Sequence, residues 1–254
     1  MKLFAAVFCA LLAVCVAEVS QRIVGGTTAT YGEHPYICSL QRQSGSSWYH
    51  ICGSVIWNNN NVVTAAHCLS GSANSLRVVC GLHRISNTDS YQVTRYLSSY
   101  TNHPSYNGNA NGFPNDIAVM RLSSALSFNN YVNKITFATS GTFAGQSCKL
   151  SGWGRLVGGG ATANTLQKVN MTALSHSECV SRWGSSYINS GHICFYEGSG
   201  TSACNGDSGG PVRCGSTLTG VTSWGQSTCG GTYPSVYTRV SYFNSWLVSQ
   251  AGSQ

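Results

Sequence analysis

The chain has 254 residues, 42% of them apolar and only 8% Asp, Glu, Lys or Arg. A globular average is about 25% charged, so this composition excludes disordered tails, coiled coils and long solvated helices, which need charge to hold water or to pair along a face. The 14 basic side chains outnumber the 7 acidic ones, for a formal net charge of +7. No three basic residues fall together, so no phosphate-tracking patch is visible and a nucleic-acid partner is not expected.

Met1-Lys2 opens a short basic start, and Leu3 to Val16 is an almost unbroken apolar run. At about 14 residues it falls short of the roughly 20 that a membrane span needs. Small residues at Cys15 and Ala17 suit a cleavage point after residue 17. Residues 1–17 therefore read as a secretory signal peptide, and the product as a secreted, extracellular protein with no membrane partner. Two of the 12 cysteines leave with the leader. Those that remain, Cys38, Cys52, Cys68, Cys80, Cys148, Cys179, Cys194, Cys204, Cys214 and Cys229, are even in number, which in an oxidising compartment allows up to five disulfides. There is no Cys-x-x-Cys pair, and the adjacent His67-Cys68 cannot both ligate one tetrahedral ion, so structural zinc is not expected.

Beyond Arg22, short strand-like runs recur at even spacing: Tyr36–Gln41, Ser54–Ile56, Asn61–Thr64, Leu76–Val79, Tyr91–Thr94, Ile117–Arg121, Cys148–Gly152, Gln167–Thr172, Pro211–Arg213, Thr219–Trp224 and Ser235–Arg239. Gly, Asn and Ser turns separate them, the pattern of an all-β sandwich or barrel. One helix is expected near the C-terminus, capped by Ser241, with Tyr242, Phe243, Trp246 and Leu247 on one face. Only six carboxylate side chains follow residue 22: Glu33, Asp89, Asp116, Glu178, Glu197 and Asp207.

Three strings carry chemistry: Thr64-Ala-Ala-His67-Cys68, Asn115-Asp116-Ile-Ala-Val-Met, and Gly206-Asp207-Ser208-Gly-Gly-Pro211. A hydroxyl is a poor nucleophile until a base takes its proton, and an imidazole titrates near neutrality and can pass the proton on. A carboxylate fixes the tautomer of that imidazole. Each string alone suits a buried histidine or a tight turn; together, in the order His, Asp, Ser, they point to nucleophilic catalysis.

With Arg22-Ile-Val-Gly-Gly26 and Ser151-Gly-Trp-Gly154, these strings resemble the chymotrypsin/trypsin/elastase family of serine endopeptidases over residues 22 to about 250. The resemblance implies two packed antiparallel six-stranded β-barrels, about 23–130 and 131–240, with a C-terminal helix at about 241–250. It implies a catalytic triad of His67, Asp116 and Ser208, an oxyanion hole from the N–H groups of Gly206 and Ser208, and a substrate-pairing strand at Ser223-Trp224-Gly225. It also implies a zymogen: residues 18–22 are the activation peptide, a trypsin-like protease cuts after Arg22, and the new α-ammonium of Ile23 pairs with Asp207.

The same resemblance pairs Cys52 with Cys68, Cys148 with Cys214, Cys179 with Cys194, and Cys204 with Cys229. Cys38 and Cys80 depart from the usual pattern; they fall in strands expected to neighbour each other, and form either a fifth bridge or two buried thiols. Relatives often bind calcium in a loop matching Gly81–Asp89, but one late carboxylate beside a basic centre is a poor calcium cage, so neither metal nor cofactor is expected. Asn170-Met-Thr172 is an N-glycosylation sequon. The pocket floor falls at Ser202, where an uncharged residue leaves a Lys or Arg side chain unpaired. With Gly225 leaving one wall open and Ser235 slightly filling the base, the expected cleavage follows Leu, Phe, Tyr or Met. Proteins and peptides are the expected substrates and protein inhibitors the expected ligands of a monomer. With no accessory module between leader and Arg22, a digestive role is favoured over a regulatory or defensive one, or over a non-catalytic homologue.

Overall fold

Strand formation follows side-chain alternation. In Gln167–Ala173 the residues Gln167, Val169, Met171 and Ala173 are buried, while Lys168, Asn170 and Thr172 face outward. The structure, a computed structural model, describes residues 24–254. The expected signal and activation segments, with Arg22 and Ile23, lie outside those residues.

In chain order the strands are β1 (Thr27–Thr28), β2 (Ile37–Ser44), β3 (Ser47–Ile56), β4 (Asn61–Thr64), β5 (Leu76–Cys80), β6 (Val93–Asn102), β7 (Ala118–Leu122), β8 (Thr136–Phe137), β9 (Ser147–Gly152), β10 (Gln167–Ala173), β11 (His192–Tyr196), β12 (Pro211–Cys214), β13 (Thr217–Trp224) and β14 (Ser235–Arg239). Strands β2-β3-β4-β7-β6-β5 close one antiparallel barrel. Strands β9-β10-β11-β14-β13-β12 close the second, because β10 also pairs with β9. Closure removes the exposed edges that a sheet would otherwise leave. Two short strands attach to the second barrel beyond its closed ring: β1, from within the 23–130 expected for the first barrel, pairs with β10, and β8 runs parallel to β13.

Leu40, Val55, Val62, Leu76, Val78 and Met120 fill the first barrel, and Leu150, Met171, Ile193, Val212 and Tyr237 fill the second. The C-terminal helix α2 (Val240–Ala251) buries Val240, Phe243, Leu247 and Ala251 against the first-barrel cluster. Trp57 Nε1 donates to the Gly252 carbonyl and Asn61 Nδ2 to that of Ala251, so the chain end ties back to the first barrel.

Several sequence expectations need correction. The cap of α2 is Arg239 rather than Ser241, and Tyr242 is exposed, off the packing face. A second helix, α1 (His176–Trp183), follows a complete capping box in which Ser175 and Glu178 satisfy each other's backbone N–H groups. The Ser-x-x-Glu signal for it stands in the sequence, but the helix buries only Cys179 and so has no apolar stripe. Strand β3 begins seven residues before the expected Ser54, and β6 runs on to Asn102, because their outer halves face solvent and show no alternation.

All ten cysteines of the described chain are bridged: Cys38–Cys80, Cys52–Cys68, Cys148–Cys214, Cys179–Cys194 and Cys204–Cys229. Cys38 and Cys80 face each other directly in the β2–β5 ladder. This bridge closes 42 residues, for which loop entropy gives at most about 4 kcal/mol. Replacing both residues by Ala should lower the unfolding free energy toward that amount in urea titrations; a loss below about 1 kcal/mol would contradict a stabilising bridge.

Candidate active site

The end of β4 leads through buried Ala65 into a short helical turn, Ala66–Cys68, and the Cys52–Cys68 bridge anchors that turn to β3. His67 thereby projects into a cavity of about 370 Å³ between the barrels. Its backbone N–H donates to Asp116 Oδ1 at 2.9 Å, and its Nδ1 lies 2.7 Å from Asp116 Oδ2. A carboxylate only accepts, so Nδ1 carries the proton and Nε2 keeps a lone pair for the cavity. Asp116 is 1% exposed, and Ser223 Oγ donates to its Oδ2 at 2.5 Å. Three donors thus satisfy the buried carboxylate.

Ser208 lines the same cavity from the loop before β12. No His67–Ser208 hydrogen bond is formed here; such contacts commonly tighten only in the substrate complex. The Gly53 N–H of β3 donates to the Ser208 carbonyl at 2.7 Å, binding this loop to the first barrel. Gly206 has φ +100°, which a side chain would strain, and His50 Nε2 donates to its carbonyl at 2.9 Å. The N–H groups of Gly206 and Ser208 have no hydrogen-bond partner among the described residues, so both can receive developing negative charge.

Ser223, Trp224 and Gly225 line the cavity, whereas Ser202 and Ser235, expected at its floor and base, are buried and do not line it. Ser202 Oγ accepts the Gly230 N–H at 2.6 Å, and Ser235 Oγ accepts that of Ala203 at 3.2 Å. Phe113, Asn205 and Gln226 also line the cavity, and His50 braces the loop from outside it. Sequence reading missed these four because none stands in a motif; only the tertiary approach of three loops and strand β3 brings them together.

The ligand atoms of Cys52, His67 and Cys68 lie within 4.8 Å of one another, but both sulfurs are spent in their disulfide. In the Gly81–Asp89 loop, Asp89 Oδ2 already accepts the N–H groups of His83 at 2.6 Å and Arg84 at 3.0 Å. That donor set does not fit calcium. Asn170 is exposed on β10.

A two-barrel fold with this His, Asp and Ser grouping defines the serine-protease class. A family profile described as Trypsin matches residues 23–247, and the chain belongs to that family of serine endopeptidases. It is 48% identical over 257 residues to a chymotrypsin-like serine proteinase of Haliotis rufescens, covering 95% of this chain and 96% of that one. It is 43% identical over 260 residues to trypsin alpha of Drosophila melanogaster (99% and 97% covered). With a fibrinolytic enzyme, isozyme C, of Lumbricus rubellus it shares 38% identity over 239 residues (89% and 98% covered).

Asp207 is fully buried, and its carboxylate accepts the N–H groups of Gly154 at 2.8 Å and Cys204 at 3.0 Å. No cationic group among the described residues lies within ion-pair distance of it. Burial pushes its pKa up from 3.8 to about 6, outweighing the two hydrogen bonds. An acid raised in this way binds more protons folded than unfolded, so it costs stability as pH rises from about 4 to about 6. Asp207→Asn in the uncut chain should therefore gain on the unsubstituted protein across that window, by up to roughly 3 kcal/mol. Urea titrations at pH 4 and pH 7 read the difference, and a gap independent of pH would contradict it.

Proposed function

We propose that this chain is a secreted zymogen which, once cut after Arg22, hydrolyses peptide bonds following medium to large apolar residues. In this reading Ser208 Oγ attacks the carbonyl carbon and His67 Nε2 takes its proton. Asp116 holds the imidazole in one tautomer and stabilises the imidazolium. The N–H groups of Gly206 and Ser208 bind the oxyanion. As the tetrahedral intermediate collapses, His67 gives the proton to the leaving amine and an acyl-enzyme remains on Ser208. Water, deprotonated by His67, then releases the acid. The observation that carries the reading is the buried Asp116 carboxylate joined to His67 Nδ1, with Nε2 left to the cavity that Ser208 shares.

Activation fits the state of Asp207. An α-ammonium on Ile23 would bring a positive charge where none stands among the described residues, and convert a costly buried carboxylate into an ion pair, a switch rather than a net source of stability. Residues 1–17 as leader, 18–22 as activation peptide, a trypsin-like activator, a monomeric product, inhibition by proteins and a digestive role belong to the same proposal.

The apolar preference is supported by the cavity wall, which contains no carboxylate. A Lys or Arg side chain would enter desolvated and unpaired. The trypsin relatives make the competing outcome concrete. A series of peptide anilides varying only the residue before the scissile bond tests it on the protein cut after Arg22. Leu, Phe, Tyr and Met should exceed Lys and Arg in kcat/KM by at least about a hundredfold, since an unpaired buried charge costs several kcal/mol. Lys or Arg as the best substrate would overturn the assignment. An Arg22→Gln chain should stay inert toward the same anilides after trypsin treatment; full activity would refute the zymogen reading.

A further inference from the structure

The loop that joins β5 to β6 is closed at its neck by one hydroxyl. Tyr31 Oη donates to the Gly81 carbonyl at 3.2 Å and accepts the Tyr91 N–H at 3.3 Å. A side chain 50 residues before one end of the neck and 60 before the other thus bridges both. The neck is tight: Gly81 has φ +68°, and a side chain there would run into the Tyr91 carbonyl and Val132. Rings pack around the bridge. Tyr91 stacks on Tyr131 with centroids 4.1 Å apart and planes 4° from parallel, and Tyr131 lies 4.7 Å from the Tyr31 ring. His83 adds a further contact to Tyr31 at 5.4 Å.

The oxygen atoms of this loop are turned to the chain itself. Asp89 Oδ2 accepts the N–H groups of His83 and Arg84. The His83 carbonyl accepts the Leu166 N–H at 2.8 Å and Trp153 Nε1 at 3.2 Å. The carbonyls of Arg84 and Asp89 accept the N–H groups of Asn87 and Gln92. Calcium takes about six to eight oxygen ligands, whereas this loop offers one carboxylate that is already engaged. The loop also bears on the site. His83 and the Ile85 N–H, which donates to the Asn164 carbonyl at 2.8 Å, dock it on the segment between β9 and β10. Gly154 of that segment holds the Asp207 carboxylate, so a loop that opened would release a brace between the barrels.

Tyr91 is 49% exposed, an aromatic side chain presented on the surface, but the peptide bond that follows it is closed off. Its N–H is bound to Tyr31, its carbonyl is packed against Gly81, and the Gln92 N–H donates to the Asp89 carbonyl at 3.1 Å. A protease cuts an exposed loop once local opening frees an extended stretch of chain. We propose that the Tyr31 hydroxyl, with the Tyr91–Tyr131 stack, fastens this loop in place of a metal ion and shields the Tyr91–Gln92 bond from proteases that cut after apolar residues, this enzyme included. Cleavage there takes up one water and leaves a carboxyl on Tyr91 and an amine on Gln92. The self-cleavage part rests on the specificity reading above.

The test uses a Ser208→Ala chain, which cannot cut itself. It is offered to added chymotrypsin in calcium or in EDTA, and the cut after Tyr91 is timed by fragment mass. With the loop intact the two rates should agree within about twofold, since an ion that does not bind cannot stabilise the closed form. Tyr31→Phe in the same chain keeps the rings and loses both hydrogen bonds. Its rate should rise about tenfold with the open population, and calcium should not restore it. Tyr131→Leu removes the stack alone and should raise the rate about fivefold. Calcium slowing the cut about tenfold in the intact loop, or a folded Tyr31→Phe chain cut no faster, would overturn the proposal. So would a rise spread over other bonds, which reports general loosening. If Tyr31→Phe fails to fold, an unchanged rate in Tyr131→Leu overturns it. Active protein cut after Arg22 and carrying Tyr31→Phe should accumulate the same fragments unaided. If chymotrypsin makes that cut and the enzyme does not, the apolar specificity fails and the fastener stands.

Discussion

The carboxylate of Asp116 is the constraint on which the rest of the site depends. It arrives at the head of β7 in the first barrel, yet Ser223 of the second barrel donates to it and Thr238 donates to its backbone carbonyl. His67 contributes both its ring and its backbone N–H. One buried carboxylate thus ties both barrels together and sets the orientation of the histidine. Removing any one donor would leave a desolvated charge short of a partner, which is why the surrounding packing tolerates little rearrangement.

The scarcity of charge gains meaning here. Each of the six carboxylates of the described chain has an identifiable task. Glu33 pairs with Lys149 at 3.2 Å and Lys168 at 2.6 Å, fastening the N-terminal segment to β9 and β10. Asp89 closes a loop, Glu178 completes a helix cap, and Glu197 accepts from Thr172 at 3.0 Å. Asp116 and Asp207 remain for the site, and their environments differ sharply. The Asp116 carboxylate accepts from three donors, two of them on His67, whereas Asp207 is held by two backbone N–H groups in full burial. That difference sets the two apart: one carboxylate meets side-chain and backbone donors at the cavity, the other meets backbone donors alone.

Much of this was legible in the sequence, and the exceptions are physical. His67, Asp116, Ser208 and Gly206 stand in local strings whose turn chemistry serves the site, so motif and geometry coincide. Strands with one face in a barrel core, such as β10, show their alternation directly. The outer half of β3 and most of β6 face solvent and carry no such signal. His50 and Phe113 reach the site through contacts distant in sequence, and an isolated histidine or phenylalanine does not reveal its partner. Ser202 and Ser235 were expected at the floor and base of the pocket, and only packing shows that their hydroxyls accept the backbone N–H groups of Gly230 and Ala203.

The central claim is that the Asp116 carboxylate makes His67 a base for Ser208. It is tested most directly by Asp116→Asn, measured in protein cut after Arg22, with kcat/KM at neutral pH and the thermal midpoint recorded together. The amide can still cap the His67 backbone but cannot accept from Nδ1–H in the same way. The account predicts a loss of about a thousandfold in kcat/KM, the scale of general-base assistance, with the fold retained. A folded variant within about threefold of the unsubstituted enzyme would contradict it.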